Sequence, residues 1–377
     1  MPRAPASSLA GLTVSIPPTA KLYLRPIALL HGSAAAAMMT AGQALPLAGG
    51  PLAFPAVELT IRADRTTHHA VALLAEIEPW ARAQEDGIHE AVVRRLDGLS
   101  RLRSGVGEAP LLMGVVNATP DSFSDGGAHS EPQAAADHAI ALAEAGAAIL
   151  DIGGESTRPG ALPVDAATEI GRVEPVLEGL ARRREGFPGL RLSIDTRRAA
   201  VMRRALARGV DIINDVSALQ DDPESLAVAA GSTARVILVH KRGDPMTMNL
   251  APEYDDVALD VFEDLEARVD ACVAAGIDRG RLIVDPGIGF GKLSAQNLAL
   301  LQSLSLFHGL GCPLLLGFSR KALIAGEQQR LTPRQRVPGS LAAAMHALGQ
   351  GVQILRVHDV AETRQVVDIW TRISQAD

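Results

Sequence analysis

The sequence predicts a (β/α)8 barrel with a small N-terminal α/β appendage, and three observations carry that expectation. Eight short apolar runs fill the last two-thirds of the 377 residues, each run ends on a polar residue, and helical segments lie between them. Runs this short suit strands buried on both faces, as in a parallel sheet, better than helices. Polar strand ends fit a barrel, where functional side chains collect at the C-terminal rim. A doubly wound open sheet uses the same alternation, but its usual glycine-rich turn after the first strand is replaced here by NATPDSFSDGG (117–127).

The chain exceeds a typical barrel of about 250 residues by roughly a hundred. The eight units occupy about 111–374, so the surplus lies at the N-terminus. Residues 1–108 are therefore read as an extension with a structural role, and 109–377 as the barrel. Residues 1–20 read as a loose tail and a poor signal peptide, because Ser15, Pro17 and Pro18 interrupt the apolar stretch. Segments 21–28 and 51–62 have strand composition, and the Ala-rich 32–42 is too short to span a bilayer. Segments 67–84 and 88–103 read as amphipathic helices, with Val71, Leu74 and Ile77 on one and Ile88, Val92, Leu96 and Leu99 on the other. His68 and His69 are then a solvated helix start rather than a metal pair, and 103–110 is the joint.

In the barrel the strands stop in turn at Asn117, Asp151, Asp195, Asn214, His240, Asp285, Ser319 and Arg356. Helical patterns cover 132–146, 197–208, 255–276, 295–307 and 360–374. Hydrophobic residues are 47% but aromatics only 3%, so Leu, Val, Ile and Ala must build the core. A net charge of −7 without a basic run argues against nucleic acid or an anionic membrane as partner. Cys272 and Cys312 have no metal-ligand spacing, which suits a reduced, cytoplasmic protein.

The strand ends sort by chemistry. Ser319-Arg320-Lys321 follows the seventh strand, and Arg356 and His358 end the eighth. Barrels often bind phosphate there, so these cations suit a phosphate or diphosphate. Asp195, Asn214 and Asp285 are expected opposite them, offering donors and acceptors to a planar heterocycle. Acid–base catalysis by the two carboxylates is the competing reading. Asn117 offers one neutral oxygen, a Mg²⁺ ligand only if diphosphate and waters complete the shell. The Gly- and Pro-punctuated loops NATPDSFSDGG and GGESTRPGA (153–161) are expected to cover the mouth.

NATPDSFSDGG, DIGGESTRPGA, SIDT (193–196), INDVS (213–217), DPGIGFGK (285–292), GFSRK (317–321) and RVHDV (356–360) together resemble the dihydropteroate synthase family, in the family's order. The resemblance implies a (β/α)8 barrel that joins 6-hydroxymethyl-7,8-dihydropterin diphosphate to p-aminobenzoate, and a homodimer. It implies pterin contacts at Asp195, Asn214, Asp285, Lys321 and Arg356, and diphosphate contacts at Asn117, Arg356 and His358. It implies Mg²⁺ on Asn117 and a p-aminobenzoate pocket of Thr157, Arg158, Pro159, Phe290 and Lys321. Asp195, Asp285, Lys321 and Arg356 then form the catalytic set. One departure stands out: His240-Lys241-Arg242-Gly243 replaces the family's His-Met-Gln-Gly-like run. A pterin-dependent methyltransferase is the runner-up, disfavoured by TPDSF and SRK. A non-catalytic assembly subunit is disfavoured by the intact strand-end set.

Overall fold

The computed structural model describes residues 7–12, 16–17, 19–63, 66–84, 87–106, 109–118, 131–155, 163–243, 252–326 and 331–375. The first loop beyond Ala118 and the Thr157-Arg158-Pro159 stretch, both expected at the mouth, lie outside these residues.

The N-terminal part comprises β1 (Ser7–Ser8), β2 (Lys21–Ile27), α1 (Gly32–Thr40), β3 (Leu45–Pro46), β4 (Ala53–Phe54), β5 (Ala56–Ala63), β6 (Thr66–Leu73), α2 (Leu74–Arg82) and α3 (Ile88–Ser100). Four strands form a sheet in the order β1-β6-β5-β2, and β3 pairs with β4. Residues 67–73 are thus a strand, not the first half of a helix. β6 runs antiparallel to β5 from Ala56↔Leu73 to Ala63↔Thr66. Pairing with β5 overrides the weak helical spacing of Val71, Leu74 and Ile77, because it satisfies a full row of backbone groups. His69 is accordingly no helix start: its Nδ1 lies 3.0 Å from Thr60 Oγ1 across the sheet.

The barrel follows as β7 (Leu111–Asn117), α4 (Glu131–Glu144), β8 (Ile149–Gly153), α5 (Ala166–Arg183), β9 (Arg191–Asp195), α6 (Ala199–Ala207), β10 (Ile212–Asp215) and α7 (Ser225–Ala230). Then come β11 (Arg235–Val239), α8 (Val257–Ala274), β12 (Leu282–Asp285), α9 (Ser294–Gln302), β13 (Leu315–Gly317), α10 (Val337–Gly349), β14 (Ile354–Val357) and α11 (Val360–Gln375). The strands are parallel in the order β12-β11-β10-β9-β8-β7-β14-β13, and a Val284↔Leu314 bridge joins the ends. The helix expected over 295–307 stops at Gln302, and a 3-10 segment, Leu304–Leu310, takes over.

Met113, Ile149, Ile212, Ile237, Ile283, Leu315 and Ile354 fill the barrel interior, and Val106 joins them from the linker. Outside the strands one continuous apolar core includes barrel helices and appendage alike. Edge strand β2 lies against the 3-10 segment and α3: Ser305 Oγ donates to Pro26 O at 2.9 Å, and Arg95 Nε, from α3, to Leu22 O at 3.2 Å. Tyr23 meets Phe262 edge-on at 5.6 Å. Gly98 on α3 must be glycine, since a Cβ there would stand 2.7 Å from Gly309 O. Among the described residues no helix is long and apolar enough to cross a membrane.

Candidate active site

Strand periodicity explains why charged groups converge inside the mouth. Side chains two apart share a face, and Ile149, Ile212, Ile283 and Ile354 point into the barrel core. Two residues further along each strand stand Asp151, Asn214, Asp285 and Arg356, so these also point inward. Asp195 joins them from β9, where the register pairs it with Gly153 and Asn214. Gly317 lies beside them, where a Cβ would make ordinary contact with Asp285 at 3.6 Å and Arg356 at 3.9 Å.

Arg356 sits at the centre. Its Nε donates to Asp151 Oδ2 at 2.7 Å and its Nη2 to Asp195 Oδ2 at 2.6 Å. Asn214 Nδ2 donates to the same Asp151 oxygen at 3.0 Å. The cation therefore does not stand opposite the acids as expected, but is hydrogen-bonded among them. Asp151 Oδ1 and Asn214 Oδ1 are buried with no hydrogen-bond partner. Unsatisfied buried acceptors are costly in a native structure, and a donor-bearing ligand at this cluster would satisfy them.

Burial sets the protonation chemistry. It pushes the Asp195 carboxyl up to about 7, against the pull of Arg356 and with the help of Asp151. Asp285 is likewise raised by burial, opposed by Lys321, and its Oδ1 accepts from Gly287 N at 2.7 Å. Burial pushes Lys321 down to about 8, and its ammonium donates to Ile288 O and lies 4.5 Å above the Phe290 ring. Arg356 is held more firmly protonated than usual, the carboxylates outweighing burial.

The cation-rich rim after β13 divides. Arg320 has φ 57° and its Nε donates to Asp359 Oδ2 at 2.9 Å, away from the mouth. Lys321 turns inward instead. Ser319 Oγ lies 3.1 Å from His358 Nδ1, and His358 N donates to Ser319 Oγ at 3.2 Å. Asn117 ends β7, beside β14. The structure thus brings Asp195, Asn214 and Arg356 into one hydrogen-bonded group and Lys321 beside Phe290. Asp285 lies near enough to both for Lys321 and Arg356 to favour its charge. Asp151 was missed as a site residue, although its run ends on it like the others; the two-residue parity with Ile149 would have found it.

These residues lie within a match to the family model described as pterin binding enzyme, which covers residues 113–358. The dihydropteroate synthase of Escherichia coli strain K12 is 44% identical over 260 residues, 69% of this chain and 90% of that one. That of Neisseria meningitidis serogroup B is 46% identical over 268 residues, 70% of this chain and 92% of the relative. The Xanthomonas albilineans dihydropteroate synthase structure with 4-aminobenzoic acid superposes with a TM-score of 0.67 at 47% identity, covering 72% of this chain and 94% of that one. A structure of the X. albilineans enzyme in complex with 7,8-dihydropteroate gives 0.64 at 44% identity, covering 72% and 95%. The chain therefore belongs to the pterin binding enzymes and, within them, to the dihydropteroate synthase family.

Proposed function

We propose that this protein joins 6-hydroxymethyl-7,8-dihydropterin diphosphate to p-aminobenzoate, releasing diphosphate and forming 7,8-dihydropteroate. The observation that carries the reading is the Arg356–Asp151–Asp195–Asn214 group with its two unpartnered acceptors. A pterin carries ring NH and amino donors that would satisfy such acceptors, and its flat ring would stack on the Arg356 guanidinium. Asp195, Asn214, Asp285, Lys321 and Arg356 are the proposed pterin contacts. Asn117, Arg356 and His358 would receive the diphosphate. Phe290 and Lys321, with Thr157, Arg158 and Pro159, would shape the p-aminobenzoate pocket.

The chemistry needs no protein nucleophile. The C–O bond to diphosphate breaks, a C–N bond to the aryl amine forms, and the amine loses a proton. Asp195 and Asp285 would stabilise positive charge developing on the pterin, while cations neutralise the leaving group. The barrel holds the two substrates in line and dry. Among the described residues no group of three or more His, Cys, Asp or Glu could hold a metal ion. The Asn117 amide oxygen fits instead a hydrated Mg²⁺ carried by the diphosphate, which would supply charge neutralisation there.

A homodimer in the cytoplasm belongs to the same proposal; the free, buried Cys272 and Cys312 suit a reducing compartment. The deciding experiment incubates purified protein with Mg²⁺ and both substrates and measures dihydropteroate. Folded protein that binds a pterin yet forms no product would overturn the proposed reaction. Light scattering on a sizing column reads the oligomeric state.

A further inference from the structure

Lys292 ends the DPGIGFGK run, and nothing assigned above uses it. Only 4% of it is exposed. Its Nζ lies 2.9 Å from Gly287 O, 3.0 Å from Phe290 O and 2.9 Å from His240 Nδ1. On the far side of that imidazole, Nε2 lies 3.1 Å from the Asp264 carboxylate on α8. A carboxylate accepts, so Nε2 carries the proton and Nδ1 is left as an acceptor. Burial holds His240 neutral, down to about 4, which agrees. Four acceptors thus surround Nζ, the His240 carbonyl at 3.4 Å being the fourth; burial pushes the Lys292 pKa well down, yet such a shell of acceptors suits an ammonium.

Local geometry shows what this arrangement holds. Gly287, Gly289 and Gly291 have φ of 69°, 82° and 67°. A Cβ at Gly287 would stand 1.8 Å from His240 O, and one at Gly291 2.0 Å from Arg242 O. The loop therefore lies flush on residues 240–242. Asn297 ties its other side, accepting from Gly289 N at 2.7 Å and donating to Lys292 O at 2.9 Å. Two parts of this loop meet Lys321: the Ile288 carbonyl that accepts its ammonium, and the Phe290 ring beneath it.

We propose that Lys292 is a positioning residue. By gathering the carbonyls of Gly287 and Phe290 onto one ammonium, it fixes the Ile288 carbonyl and the Phe290 ring, and so the place of Lys321 in the pocket for the aryl amine. This rests on the reading of Phe290 and Lys321 as p-aminobenzoate contacts. His240 and Asp264 extend the support to α8, and Arg242, within the segment that departs from the family pattern, donates to the same Asp264 at 2.9 Å.

The test uses the full-length protein. The chain has four lysines, Lys21, Lys241, Lys292 and Lys321, so isotope-labelled lysine gives a readable set of side-chain signals. Lys292→Met is expected to raise the KM for p-aminobenzoate about tenfold or more, as small misplacements of substrate-positioning groups do. The KM for the pterin diphosphate should change little, and the Lys321 signal should move while that of Lys21 stays. An equal rise in both KM values, or an unmoved Lys321 signal, overturns the proposal. Should Lys292→Met fail to fold, Asp264→Asn keeps Lys292 and weakens the hold on His240. It should give the same split in smaller size, and unchanged constants with an unmoved signal overturn the proposal equally. If the wild type makes no dihydropteroate, the proposed reaction falls, and the Lys321 signal still decides the role of Lys292.

Discussion

Cations and carboxylates meet in two places in this molecule, at the barrel mouth and at the seam between appendage and barrel. At the seam they close on one another. Arg62 Nη1 donates to Asp260 at 2.6 Å and to Glu263 at 3.0 Å, Lys21 and Tyr23 also bond Glu263, and Arg95 bonds Glu266 with both terminal nitrogens. Burial opposes the Glu263 charge, yet these donors hold its carboxyl below the usual range. At the mouth the same chemistry is left open. Arg356 serves two acids, two acceptors stay unpartnered, and burial lifts Asp195 to about 7. A seam that satisfies its charges contributes to docking. A mouth that strands them costs stability, which is the usual mark of a site shaped for a ligand.

The largest effect should come from removing the seam altogether. A chain starting near Glu108 loses Tyr23 and the rest of the sheet from the face of Phe262 and Phe307. Each large apolar side chain exposed costs about 1.5–3 kcal/mol, so a steep loss of stability is expected in thermal and denaturant unfolding. Equal stability would break the comparison, because the appendage would then not be part of the core.

Asp195→Ala should act the other way round. Calorimetry with a pterin ligand is expected to show a loss of about 1–3 kcal/mol or more in binding, while the melting temperature holds or rises. Unchanged affinity would remove Asp195 from the proposed site. Glu263→Gln is the seam counterpart. With Lys21 and Arg62 partly exposed and Tyr23 buried, it should cost about 1–2 kcal/mol of stability and leave both substrate constants as they were. A change in either KM would mean that the seam and the mouth are coupled.

pH supplies the last test. The folded-state pKa of Asp195 lies above the ordinary carboxyl value, so its favourable contribution is complete below that value. It is lost as pH rises toward about 7. Asp195→Asn should therefore flatten the fall in melting temperature between pH 4 and pH 7. Parallel curves for the two proteins would place the burial penalty elsewhere.

Much of this was legible in advance, for reasons visible residue by residue. The eight strands were readable because a strand covered on both faces must be continuously apolar, and a polar residue marks its end. Where the cost of a wrong choice is spread over neighbours, reading failed. Val71, Leu74 and Ile77 have helical spacing, yet β5 needed a partner strand, and that need lies outside the segment itself. Arg320 and Lys321 are adjacent and alike in charge, but the left-handed backbone at Arg320 goes with side chains that part, one to Asp359 and one to Ile288. Lys292 closes a glycine-rich run, and nothing local signals that His240 arrives from the end of β11 to join the loop's own carbonyls around its Nζ.

By itself the sequence determined the strand count, the parallel barrel and the residues at its rim, since apolar periodicity is a local property. Tertiary structure decided which charge each rim residue answers. Arg356 finds Asp151 and Asp195 from far along the chain. Closing the barrel brings β14 beside β7 and its inward side chains to the height of those on β8 and β9. Periodicity sets which way a side chain points; closure and register set what it meets.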